Sequence, residues 1–282
     1  MRASVLMTRG LLAAFVLLTA AVAPLSAAEP VAEIRIYALD CGHLEFKNLS
    51  FFSDTGEYDG KSGAIAVPCF LIRHPKGNLM WDTGLSPDFP KGPNSAGVSG
   101  GPGVAVEQQL QQIGLKPTDI RYLAFSHLHS DHTGNANLFK TSTWILNKEE
   151  LAWALAGGSG SPVDMATFSG YKTAKNQMID GDYDVFGDGA VRILKTPGHT
   201  PGHQVLVLKL KSAGTVILAG DLYHFRSDRA QRLVPLFNTE RADTLASFDR
   251  VERLARNTKA RLIIQHDPDD FKALPKFPAY LN

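Results

Sequence analysis

Cysteine is scarce in this chain, net charge is nearly absent, and no apolar run is long enough to cross a membrane. Only Cys41 and Cys69 occur among 282 residues. Their separation lacks the paired spacing of a zinc ribbon, which excludes a cysteine-held structural metal. They stand either as a disulfide or as two buried free thiols. Lys and Arg number 29 against 28 Asp and Glu, so there is no field to hold a polyanion or an anionic membrane, and nucleic acid is excluded as a partner. The longest small and apolar run, Leu11 to Ala23, has thirteen residues, where a spanning helix needs about 20. No repeat, heptad series or low-complexity linker divides the chain.

Arg2 and Arg9 precede the apolar run, and Pro24 and Ser26-Ala27-Ala28 follow it. This is the layout of an export signal cleaved near Ala28. Residues 1–28 are expected to be removed, leaving residues 29–282 as one domain, periplasmic or secreted. With two arginines lost, that domain carries 27 basic and 28 acidic side chains. No cysteine lies at the cleavage point to take a lipid, so no membrane attachment is expected after cleavage.

Short β-branched runs bounded by Gly, Pro, Asn or Asp recur at 31–39, 63–74, 78–84, 121–126, 141–147, 191–196, 204–210, 214–221 and 260–266, and these read as strands. Helical periodicity appears at 105–115, at 148–156 after Asn147, and at 239–257. Strands mixed with helices along one chain predict layered α/β architecture. Residues 42–62, which hold Phe46, Phe51, Phe52 and Tyr58, and the Gly/Pro/Ser-rich 85–104 read as long loops of the kind that line a site.

The histidines are the chemical signal. Residues 126–134 read SHLHSDHTG, with His127, His129, Asp131 and His132 inside six positions. His127 and His129 are two apart after a strand, so an extended chain projects both rings to one side. His199, Asp221 and His266 each follow another apolar strand, and side chains at one edge of a sheet converge. Seven nitrogen and oxygen donors suit a pair of divalent ions, zinc first, with iron, cobalt or manganese also accommodated. His43 and His74 read as ordinary surface or hydrogen-bonded residues. Asp82, also after a strand, is read as a partner that orients a ligand histidine.

The motif HLHSDH, followed in order by TPGHTPGHQ (196–204), LAGD (218–221) and QHDPDDF (265–271), with WDTG (81–84) upstream, resembles the metallo-β-lactamase superfamily. Within it the chain looks most like the N-acyl homoserine lactonases, over residues 31–272. The resemblance implies a four-layer αββα sandwich. It also implies that His127, His129 and His199 bind one ion, Asp131, His132 and His266 a second, and Asp221 both. The familiar lactamases place cysteine or serine where Asp221 stands, which argues against that activity. Family lactonases commonly hold a tyrosine three positions after the bridging aspartate. Here that position is His224, with Tyr223 one earlier; His224 is expected to hydrogen-bond the substrate carbonyl, with Tyr223 in reserve. His203 matches a family position too and is read as fixing its loop.

The chemistry this implies is attack on a lactone carbonyl by a hydroxide bridging the two ions, with Asp131 returning the proton to the leaving alkoxide. Phe46, Phe51, Phe52, Leu85, Phe89 and Leu222 are candidates for an acyl-chain groove. The same donors would serve an organophosphate or aryl-ester hydrolase, or, in third place, a glyoxalase-type thioesterase, for which export is unfavourable. A non-enzymatic metal protein fits poorly, since structural zinc sites close with four ligands. Oligomeric state is not legible. DGDYDVFGDG (180–189) starts like a calcium loop but has Val185 and Val191 where Gly and Glu are needed, and is read as an acidic turn.

Overall fold

The computed structural model describes Met1, residues 33–90 and residues 92–282; the expected export signal beyond Met1 lies outside them. Two sheets form. The first contains β1 (Arg35–Phe46), β2 (Gly63–His74), β3 (Gly77–Trp81), β4 (Val98–Gly101), β5 (Ile120–Ala124), β6 (Thr143–Asn147) and β7 (Lys175–Ile179), in the spatial order β4-β1-β2-β3-β5-β6-β7. The second contains β8 (Tyr183–Asp184), β9 (Val191–Lys195), β10 (Gln204–Leu210), β11 (Gly214–Leu218) and β12 (Arg261–Ile263), in the order β12-β11-β10-β9-β8. The helices are α1 (Val106–Gln112), α2 (Ser130–Thr133), α3 (Lys148–Leu155), α4 (Arg226–Gln231), α5 (Arg241–Thr258) and α6 (Pro268–Lys272).

Side-chain alternation explains the layering. Phe70, Ile72, Leu79 and Trp81 point from β2 and β3 towards the second sheet, where they meet Ile193, Leu206, Leu208 and Leu218. Their neighbours Cys69, Leu71 and Met80 point the other way, onto Leu110 of α1 and Ala154 of α3. On the far side of the second sheet, Val205, Val207 and Ile217 pack on Phe248, Val251 and Ala255 of α5. Both sheets are thus covered on both faces, as the continuous burial of β2 from Ile65 to His74 requires. The result is the expected αββα sandwich.

The strands stop earlier than the sequence predicts. Residues 78–84 end as a strand at Trp81 because Asp82 takes φ +56°, a left-handed conformation that turns the chain out of the sheet. The runs 121–126, 214–221 and 260–266 likewise end at Ala124, Leu218 and Ile263, so the donors ride on short loops beyond the strand ends. The two predicted loops are partly strand: β1 continues to Phe46, and β4 forms within 85–104 and pairs with it. Strand β7 escaped notice because Lys175, Asn176 and Gln177 are exposed and show no apolar alternation. In the acidic turn, Asp184 accepts from Gly187 N–H at 2.9 Å and Gly189 N–H at 2.6 Å.

Cys41 and Cys69 form a disulfide joining β1 to β2 with Cα atoms 5.8 Å apart. The bridge closes a segment with a sequence separation of 28. The Cys41→Ala/Cys69→Ala double variant is therefore expected to lose about 2–4 kcal/mol of unfolding free energy, measured by denaturant titration.

Candidate metal centre

All seven predicted donors meet at one edge of the sandwich. They arrive from four places: the segment after β5 and the short α2 (His127, His129, Asp131, His132), the β9–β10 connection (His199), the turn after β11 (Asp221) and the turn after β12 (His266). They fall into two groups, each of which could hold an ion: His127, His129, His199 and Asp221 in one, Asp131, His132 and His266 in the other. His127 Nε2 lies 2.9 Å from His129 Nδ1, and His199 Nε2 lies 3.2 Å from each. In the second group His132 Nε2 and His266 Nε2 are 3.2 Å apart. Asp131 Oδ2 is 3.5 Å from His266 Nε2 and 3.8 Å from His132 Nε2. Asp221 faces both groups: Oδ2 is 3.4 Å from His199 Nε2, and Oδ1 is 3.1 Å from both His132 Nε2 and His266 Nε2.

This arrangement suits divalent cations. Nitrogens held about 2.0–2.1 Å from a tetrahedral ion lie roughly 3.3 Å apart, close to the separations seen. Hydrogen bonding alone does not account for it, because His127 Nε2, His129 Nδ1 and His199 Nε2 crowd within 3.2 Å of one another, and lone pairs that face each other need a cation between them. Burial and the neighbouring imidazoles keep His127 and His199 far below the usual histidine range and His129 at about 4, so their lone pairs are free. Burial works against charge on His132 and His266 as well. There the carboxylates of Asp221 and Asp131 win and raise both rings.

The outer nitrogens are held in turn. His132 Nδ1 faces Asp82 Oδ2 at 3.1 Å, and Asp82 accepts from Ser126 N–H at 2.7 Å and from Gln265 Nε2 at 2.9 Å. Asp82 thus links the outer nitrogen of His132 to Ser126 and Gln265. His127 Nδ1 meets Ser126 Oγ at 3.0 Å, His199 Nδ1 donates to Asn238 Oδ1 at 2.9 Å, and His266 Nδ1 donates to Ala66 O at 2.6 Å. His203 is no donor to the centre. Its Nδ1 donates to Thr196 O at 3.0 Å while Nε2 accepts Asp221 N–H at 3.0 Å, which pins the Asp221 turn.

His224 and Tyr223 part company. The 3₁₀ turn Gly220–Leu222 ends at Tyr223, whose backbone is extended (φ −140°, ψ 144°), and beyond it His224 Nε2 lies 3.1 Å from Asp221 Oδ2. Tyr223 faces the opposite way, stacking on Phe248 and donating to Glu252 Oε1 at 3.2 Å; it cannot replace His224. Leu222 goes with it into the α5 core, so it lines no groove. Phe52 packs edge-on against His224 at 5.0 Å, with Phe51 and Phe46 behind it. Leu85 and Phe89 line a separate 610 Å³ cavity that also includes Ser130, the neighbour of Asp131. Phe237, against both His199 and His224, and Asn238 escaped the sequence reading, because their loop carries no periodic pattern or motif.

The matched family model is the metallo-beta-lactamase superfamily, over residues 62–266; the chain belongs to this superfamily. Within it the chain groups with relatives named N-acyl homoserine lactonase. It is 31% identical over 265 residues to N-acyl homoserine lactonase AttM of Azorhizobium caulinodans, covering 89% of this chain and 99% of the relative. It is 32% identical to AttM of Rhizobium radiobacter, at 88% and 99% coverage. A solved N-acyl homoserine lactone hydrolase with N-hexanoyl-L-homoserine bound at its catalytic metal centre superposes with a TM-score of 0.75 at 25% identity, covering 89% of this chain and all of that one.

Burial holds His203 down at about 4, below the ~6.5 of an unfolded chain. A depressed histidine contributes stability that is complete above pH ~6.5 and is lost as the pH falls towards 4. In protein stripped of metal, His203→Gln keeps a donor and an acceptor without the titrating proton. It is expected to lose less stability than the parent across that window, by on the order of 3 kcal/mol; urea unfolding at both pH values measures this.

Proposed function

We propose that residues 29–282 form an exported dinuclear hydrolase that opens the lactone ring of N-acyl homoserine lactones. The observation that carries this reading is Asp221, whose two oxygens serve two separate groups of imidazoles. The lactonase names of its relatives supply the substrate class. In this reading His127, His129 and His199 hold one ion, Asp131, His132 and His266 the other, and Asp221 joins them. Nitrogen and oxygen donors favour zinc, with iron, cobalt or manganese also accommodated. When bound, the pair supplies a water of lowered pKa and a Lewis acid for the carbonyl oxygen.

The chain's own residues do the rest. His224, on the Asp221 side of its turn, donates an N–H to the carbonyl oxygen as the centre becomes tetrahedral. Asp131, the most exposed carboxylate of the set at 15%, carries the proton to the ring oxygen as the C–O bond breaks. Phe51 and Phe52 wall the site beside His224, and the cavity of Leu85 and Phe89 next to Ser130 receives the acyl chain. The Cys41–Cys69 disulfide supports export, since such bonds persist in oxidising compartments.

Purified protein is expected to carry about two divalent ions per chain, and chelation is expected to abolish hydrolysis while leaving the secondary structure in place. A pH-stat assay with short and long acyl lactones tests the substrate; turnover of esters or phosphotriesters with none of any lactone rules it out. His224→Ala is expected to lower kcat roughly 100-fold, and a rate within twofold of the parent removes its role.

A further inference from the structure

Glu150 is a buried carboxylate, 3% exposed, that no step above uses. It is the third residue of α3, where Asn147 Oδ1 caps the helix by accepting from Glu149 N–H at 2.9 Å and Glu150 N–H at 3.2 Å. Its two oxygens reach two different loops. Oε1 accepts from Leu128 N–H at 2.9 Å, and Oε2 accepts from Gly202 N–H at 3.0 Å. Leu128 is the residue between His127 and His129, and Gly202 follows His199 by three. The loops seat directly on the helix start: a Cβ at Gly202 would lie 2.5 Å from both Asn147 Oδ1 and Glu150 Cβ.

The geometry points to Glu150 as a positioning residue for the three-histidine half of the metal centre, setting the separation of His127 and His129 from His199 through their backbones. This rests on the metal reading proposed above. The need for it is visible at His129. The other four ligand histidines each have their outer ring nitrogen held by Ser126, Asp82, Asn238 or Ala66. His129 Nε2 has no hydrogen-bond partner among the described residues, so beyond the packing of its ring on Trp153 its position depends on how the main chain around Leu128 is held. Burying an ionised carboxylate is unfavourable unless its oxygens are fully hydrogen-bonded. Burial raises Glu150 to about 7 even with these two N–H donors, and the start of α3 favours the negative charge. A group so costly to bury serves a purpose that an apolar residue at that point could not serve, and what it touches are the two metal-bearing loops.

The test compares the parent with Glu150→Gln, which keeps the volume but turns an NH₂ donor against one of the two backbone donors. Competition with a chromogenic chelator measures zinc affinity ion by ion. One ion of the variant is expected to bind 10–100-fold more weakly while the other is unchanged, and the visible spectrum of the cobalt-loaded variant is expected to shift. In the unsubstituted, metal-free protein, the Leu128 and Gly202 amides are expected to be protected from hydrogen exchange; this arm needs no variant. Two parent-like affinities and an unshifted cobalt spectrum in Glu150→Gln overturn the positioning role alone, as does rapid exchange of both amides in the folded metal-free protein. A parent that takes up no metal refutes the metal reading, and this role with it.

Discussion

Asp221 presents one oxygen to His199 at 3.4 Å and the other to His132 and His266 at 3.1 Å, in a pocket where its residue is 4% exposed. A carboxylate so placed is costly to bury unless cations or protonated partners surround it. Burial pushes its protonation upward, yet His266 and His132, both raised, outweigh that and hold it ionised, well below the usual carboxylate range. The surrounding architecture serves this balance. His203 pins the backbone of the Asp221 turn, and Gln265 binds Gly220 N–H, Trp81 and Asp82 together.

The convergence depends on layering. Donors from four segments meet because β5, β11 and β12, and the β9–β10 connection, end at one rim of two packed sheets. Burial on both faces sets the register of those strands, since a slip of one residue would send Leu218 or Ile193 to the wrong side. The loops beyond are then short enough to have little freedom. Asp82, in a left-handed conformation, shows how sharply the chain leaves the sheet to put a carboxylate under His132.

Much of this was legible in the residues. Donor types, chain order and the strand preceding each donor all come from local features: β-branched runs, a spacing of two between His127 and His129, and imidazole and carboxylate together. The grouping of donors and the bridging place of Asp221 came from resemblance; the structure brings these donors into two groups, with Asp221 facing both. What stayed hidden were partners that carry no pattern. Glu150 looks like any acidic residue in the first turn of a helix, Asn238 like any loop amide, and Gln265 like a strand-end polar residue. Each is recognised only by the atom it faces.

The sequence by itself determined which side chains could bind metal and that their strands belong to a layered α/β fold, because ligand chemistry and apolar alternation are properties of short stretches. Only the tertiary structure decided which neighbours face the centre. The turn after β11 carries His224 back beside Asp221 while sending Tyr223 and Leu222 into the α5 core, and packing of that helix's leading loop brings Phe237 and Asn238 onto His199. Direction around a turn, and contact between segments distant in the chain, are set by packing and are written in no single stretch of residues.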